Sequence, residues 1–178
     1  MTIRYWLLGA LLASAPAIAL DLKGVELGKA AAPEQLTEVL GVDFERTHCP
    51  MYKRSAHDAG AATYRCDGAA LIEGVHCSLE ITFGAGDVVE EIDVTFFTQY
   101  FDAIAAGAAR KWGKPKADMH ATLQNRFGAA YQEQIQGWVE PSGANAFLYR
   151  MDPADVRSGM LILKSHGEPA LDPTKSRM

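Results

Sequence analysis

Three cysteines and five histidines are the residues best suited to metal or redox chemistry in this chain. His48-Cys49 and His76-Cys77 are adjacent pairs, and His57 and Cys66 lie nearby. Such side chains hold zinc or copper. Their spacing argues otherwise. Neither C-x-x-C nor H-x-x-x-H occurs, and on a strand positions 76 and 77 face opposite ways. A disulfide with ordinary histidines is the plainer reading, so no metal and no cofactor is expected. Dithiol redox catalysis lacks its motif. Hydrolase and nucleotide signatures are missing too: there is no G-x-S-x-G, H-E-x-x-H, P-loop or G-x-G-x-x-G. Glu90-Glu91 are sequence neighbours that a strand turns apart, and His120 and His166 stand alone. The chain is therefore expected not to be an enzyme.

Binding surfaces depend on the elements that carry them. Ala32 to Gly41 is a compact helix signal, with Pro33 at its first position and Gly41 at its end. Thr63 to Asp67 reads as a short strand, continued by Ala70 to Ile72. Val75 to Phe83 and Val88 to Phe97 alternate with period two across Gly84-Ala85-Gly86-Asp87, which predicts a hairpin. Pairing Phe83 with Val88 places Leu79 opposite Ile92 and Cys77 opposite Val94. Gln99 to Trp112 is a second helix, with Thr98 as its cap and Gly113 after its end. Thr122 to Phe127 reads as a helical turn. Gln132 to Glu140 and Asn145 to Arg150 predict a second hairpin, and Met160 to Ser165 a last strand.

Two candidate faces follow. In the first hairpin, Glu80 falls opposite Glu91, with Asp93 and Glu73 near them. This acidic face could receive a basic partner such as a lysozyme-like enzyme, although antiparallel sheets commonly leave one face simply wet. In the second hairpin, pairing Glu140 with Asn145 sets Trp138 opposite Phe147 and Gln136 opposite Tyr149. Large aromatics anchor protein interfaces. They also fill cores, and Trp138, Phe147 and Tyr149 could as well lie under the second helix.

The N-terminus points to a compartment. Arg4, an apolar stretch from Tyr5 to Leu12, and the small residues of Ala17-Ile18-Ala19 fit a secretory leader cut after Ala19. No cysteine lies near the cut, so no lipid and no stable membrane anchor is expected after cleavage. Removing residues 1–19 leaves 159 of the 178, the size of one domain. Loss of Arg4 takes the net charge from −5 to −6, against a general role in nucleic-acid binding. A periplasmic or extracellular setting permits a disulfide. Cys49–Cys66 would close the irregular stretch between them, with Cys66–Cys77 as the alternative pairing. Cys77, on the apolar face of its strand, then behaves as a small hydrophobe.

The element order, helix then three strands twice over, predicts an α+β fold. Two tandem units, 20–97 and 98–165, would each join a helix to a three-stranded antiparallel sheet and pack as one domain, with 166–178 a loose tail. Gly24-x-x-Leu27-Gly28, a helix ending in Leu40-Gly41, a cysteine-bearing loop and a meander resemble the β-lactamase-inhibitor-protein superfamily. That group includes the inhibitor, with two helix-plus-sheet repeats, and the small lipoprotein of the outer-membrane barrel-assembly machine, with one. This chain departs from the lipoprotein in lacking an acylated cysteine. The resemblance implies a non-catalytic module that binds another periplasmic or secreted protein through its sheet. An envelope-assembly accessory factor is the second expectation and a metal carrier the third.

Overall fold

A computed structural model describes residues 20–31, 52–56, 62–124, 128–152 and 155–166. The expected leader, the helix over 32–41, Cys49 and hence the Cys49–Cys66 bridge, and the tail beyond His166 lie outside the described residues.

The chain enters as a small hairpin, β1 (Asp21–Leu22) and β2 (Val25–Glu26). Its two-residue turn needs positive φ at both positions, and Lys23 and Gly24 supply it at 49° and 85°. Eight further strands form one antiparallel sheet. They are β3 (Tyr52–Ala56), β4 (Ala62–Ile72), β5 (Val75–Phe83), β6 (Val89–Phe97), β7 (Ala117–Gln124), β8 (Ala130–Val139), β9 (Asn145–Tyr149) and β10 (Ser158–Lys164). The order is β3-β4-β5-β6-β10-β9-β8-β7. One meander runs inward to β6. The chain then crosses by a helix to the far edge and a second meander returns to β10, which pairs with β6 at the centre.

This corrects the expected α+β arrangement of two helix-plus-three-stranded units. The fold is mostly β, with one continuous eight-stranded sheet, and the described residues hold a single α-helix, α1 (Phe101–Trp112). The helical turn expected over Thr122 to Phe127 is overturned in its first half, because Thr122, Leu123 and Gln124 belong to the edge strand β7 (Ala117–Gln124), and residues 125–127 lie outside the described residues. Its alternation is real but rests on Ala117, Met119, Ala121 and Leu123, all half-buried at the edge, so the apolar signal is faint. Thr98 does not cap the helix. A 3-10 turn, Thr98–Tyr100, leads into it, and the Thr98 hydroxyl donates to the carbonyl of Val156 at 3.0 Å.

The helix covers one face of the sheet. Phe101, Ile104, Ala108 and Trp112 share a cluster with Leu79, Ile81, Ile92, Val94, Leu148, Leu161 and Leu163, and Leu20, Leu22 and Val25 join from the N-terminal hairpin. Gly107 lies mid-helix, where glycine costs stability. A Cβ there would come within 2.3 Å of the Glu73 side chain, which reaches across to pair with Arg110.

Both hairpin registers differ from expectation. In β5–β6 Leu79 faces Val94 and Ile81 faces Ile92, two residues from the expected pairing. Two single-residue steps add up to it: the turn is one residue longer, so that Phe83 pairs with Val89 rather than Val88, and a bulge follows, since Thr82 pairs with Glu91 and leaves Glu90 unopposed. Val88 is drawn instead to Ala30, and Lys29 and Gly28 bond Val89. In β8–β9 Trp138 faces Ala146 and Gly137 faces Phe147, one residue from expectation. Here the connection is longer by a residue, closed where Glu140 N–H donates to the Ala144 carbonyl at 2.8 Å.

Candidate functional site

The two slips have opposite consequences. A shift of two keeps every side chain on its face, so Glu80, Asp93 and Glu91 share the side away from the helix, as expected. A shift of one sends the side chains to opposite faces. Trp138 and Gln136 therefore sit on the helix side, while Phe147 and Tyr149 lie on the other. This corrects the expected aromatic cluster. Trp138 is 3% exposed, stacks edge-on to Trp112 with centroids 5.6 Å apart, and donates its indole N–H to the Gly113 carbonyl at 2.8 Å. It is core, and it ties the end of α1 to the sheet.

Phe147 and Tyr149 instead extend the acidic face. Strand pairing lays Arg65, Glu80, Asp93, Ile162 and Phe147 side by side in one row across β4, β5, β6, β10 and β9. The next row is Ser78, Thr95, Met160 and Tyr149. Between them opens a cavity of about 280 Å³, lined by Arg65, Ser78, Leu79, Glu80, Glu91, Asp93, Thr95, Met160 and Ile162. Residues expected on two separate faces thus share one side of the sheet, the acidic ones on β5 and β6 and the aromatic ones on β9. Glu73 is not part of it.

Charges within the cavity are unequally served. The Arg65 guanidinium lies 3.8 Å from the Glu80 carboxylate, and Lys164 Nζ lies 2.9 Å from Glu91. Asp93 sits between these pairs, directly opposite Glu80 and two residues from Glu91. Its Oδ1 is shielded from solvent with no hydrogen-bond partner among the described residues. Burial first, then the neighbouring Glu91 and Glu80 carboxylates, push its pKa from 3.8 up to about 7 against the pull of Lys164. A carboxyl held near neutrality in a cleft is a group prepared to meet a charge. Burial also pushes up the Tyr149 phenol, with Glu133 adding to it.

Arg65, Lys164, Met160 and Ile162 are site residues that the sequence reading missed. One signal could have found the last two. Met160-Leu161-Ile162-Leu163 is apolar on both faces, and a strand so built needs cover or a partner on each.

Cys77 is buried on the core face, where its thiol donates to the Val75 carbonyl at 3.3 Å and burial pushes its pKa up to about 11. His76 is exposed on the other face, so the pair does not converge on one metal. Among the described residues no group of three or more metal-ligating side chains comes together, and no helix is long and apolar enough to cross a membrane. Compared with known proteins, the chain matches no family model, no curated protein and no solved structure.

Proposed function

We propose that this chain is a secreted, non-catalytic binding or inhibitor module that takes a basic side chain of a partner protein into the Asp93 cavity. One observation carries the reading: a carboxylate oxygen of Asp93 is shielded and unpartnered, inside an open cavity, beside two further carboxylates. Burying an anion without a partner is costly, and a lysine or arginine from outside would remove that cost. The stem of such a side chain would lie along Met160 and Ile162, since these side chains bury their methylenes while keeping the charge on a polar partner. Phe147 is itself 3% exposed, so it supports the floor of the surface rather than serving as a protruding anchor. The action is steric: a rigid face occupies the partner's site. A leader cut after Ala19 would place this module in the periplasm or outside the cell.

The test compares immobilised mature protein with its Asp93→Asn variant in periplasmic extract, with mass spectrometry of what each retains. A partner held by the native surface, lost by the variant and weakened by salt is expected. Retention of a single enzyme would indicate inhibition, and retention of membrane-assembly components an accessory role. Equal retention by both proteins, or binding indifferent to salt, would sink the proposal.

A further inference from the structure

The N-terminal end of the mature chain is firmly seated. Leu20 is 4% exposed and belongs to the main apolar cluster. Its backbone N–H donates to Oε1 of Glu140, in the turn between β8 and β9. Glu140 Oε2 accepts from the Ser142 hydroxyl at 2.8 Å, so the carboxylate is fixed through both oxygens. The turn that carries it is closed by its own backbone bonds, Glu140 N–H to the Ala144 carbonyl at 2.8 Å and Gly143 N–H to the Glu140 carbonyl at 3.0 Å. A cavity of about 340 Å³ adjoins the contact and is also lined by Glu26, Lys29 and His166. An amide offers this carboxylate one proton and no charge. An ammonium offers three protons and a full charge, which makes a shorter and stronger bond.

We propose that the Ala19–Leu20 bond is a processing site whose cleavage creates the group Glu140 is placed to hold: the α-ammonium of Leu20. Hydrolysis by a leader peptidase adds water across the bond. The leader departs with the Ala19 carboxylate, and Leu20 keeps the ammonium. The resulting ion pair fastens the N-terminal hairpin to the β8–β9 turn, so removal of the leader stabilises the fold as well as releasing it. The proposal rests on the cut falling after Ala19 and is independent of what the Asp93 cavity binds.

The test uses protein beginning at Leu20 and protein one residue longer, beginning at Ala19, each with and without Glu140→Gln. At pH 7 the Leu20 form should melt about 2–4 °C higher, the shift that a modest ion pair produces in a chain of this size. An α-amino group ordinarily titrates at about 7.7–8.0, and a carboxylate partner raises that value. Its stabilisation is present below the ordinary value and lost as pH rises through the raised one, so the gap should close by about pH 10. Glu140→Gln should abolish the gap, which subtracts any effect of Glu26, Lys29 and His166. Equal melting of the two forms at pH 7, or a gap that survives Glu140→Gln, overturns the ion pair. Should the variant fold poorly, NMR titration of the Leu20 amine decides, and a value no higher than about 8 overturns it. N-terminal sequencing of the protein from an envelope fraction judges the cut separately. An N-terminus other than Leu20 overturns the processing step, whatever the melting shows.

Discussion

Replacing Asp93 with asparagine should make the protein more stable at neutral pH and a poorer binder. The carboxyl is poorly placed for a charge: Glu80 faces it, Glu91 lies beside it, and its Oδ1 has no partner among the described residues. Its pKa rises in the folded state from 3.8 to about 7. For an acid raised in this way, the folded chain holds a proton that the unfolded chain has released. Stability therefore falls as pH climbs from about 4 to 7 and stays at the lower level above that. At about 1.36 kcal/mol per pH unit, the ceiling of the loss is about 4 kcal/mol. Asp93 is only partly buried and lines an open cavity, so screening brings the expected figure to about 2–3 kcal/mol. Asparagine keeps the shape and removes the charge. Urea unfolding at pH 4 and pH 8 measures the effect directly. The two proteins should match at pH 4, and the variant should lead by about 2–3 kcal/mol at pH 8. A variant no more stable than the native protein at pH 8, or one with the same advantage at both values, would refute the reasoning. A stabilising change that costs binding is the usual mark of a functional site.

Other substitutions test the separate parts. Trp138→Ala should cost about 3–5 kcal/mol in chemical denaturation, because the residue is core on the helix side, while the folded fraction should bind as before. Glu133→Ala should cost roughly 2–3 kcal/mol, since Oε1 of this buried carboxylate accepts from the backbone N–H groups of Gln134, Arg150 and Met151 at 3.0, 3.0 and 3.3 Å. Cys77, buried and with its pKa pushed up to about 11, should stay unlabelled by a thiol reagent in the native protein and react on unfolding in urea. Rapid labelling under native conditions would contradict its place in the core.

Much of the first half of the site was legible because its strands carry a one-sided pattern. Val75, Cys77, Leu79, Ile81 and Phe83 are all buried, as their alternation requires, and the polar residues between them mark the other face. The acidic residues therefore came out together although their partners did not. Glu80 was expected opposite Glu91 and faces Asp93 instead. What moved it is a turn longer by one residue together with the bulge at Glu90, and both sit where Gly28 and Lys29 bond Val89 from some sixty residues upstream. Local pattern contains no term for that contact. The layout of the whole sheet was hidden for a similar reason. That β10 joins β6, making one sheet of two meanders, is a long-range pairing, whereas the helix-plus-strands order along the chain is the same for either arrangement.

The second hairpin shows why some registers cannot be read from apolar pattern at all. Along β9 the residues Asn145, Ala146, Phe147 and Leu148 are buried whichever way they point. On the partner strand Ile135, Gly137 and Trp138 are buried although Trp138 faces the helix and the other two do not. Hydrophobic alternation selects a register by the penalty of exposing one face. Where both faces are covered, that penalty vanishes, and the turn alone decides. Counting Pro141 to Ala144 as the whole turn pairs Glu140 with Asn145. Closing the loop from Glu140 to Ala144 pairs Val139 instead, and every side chain of β9 changes sides relative to Trp138. That single residue converts a supposed aromatic binding patch into two things. One is a core tryptophan under α1. The other is a pair, Phe147 and Tyr149, on the sheet face that carries the Asp93 cavity, beside Ile162 and Met160 of its lining.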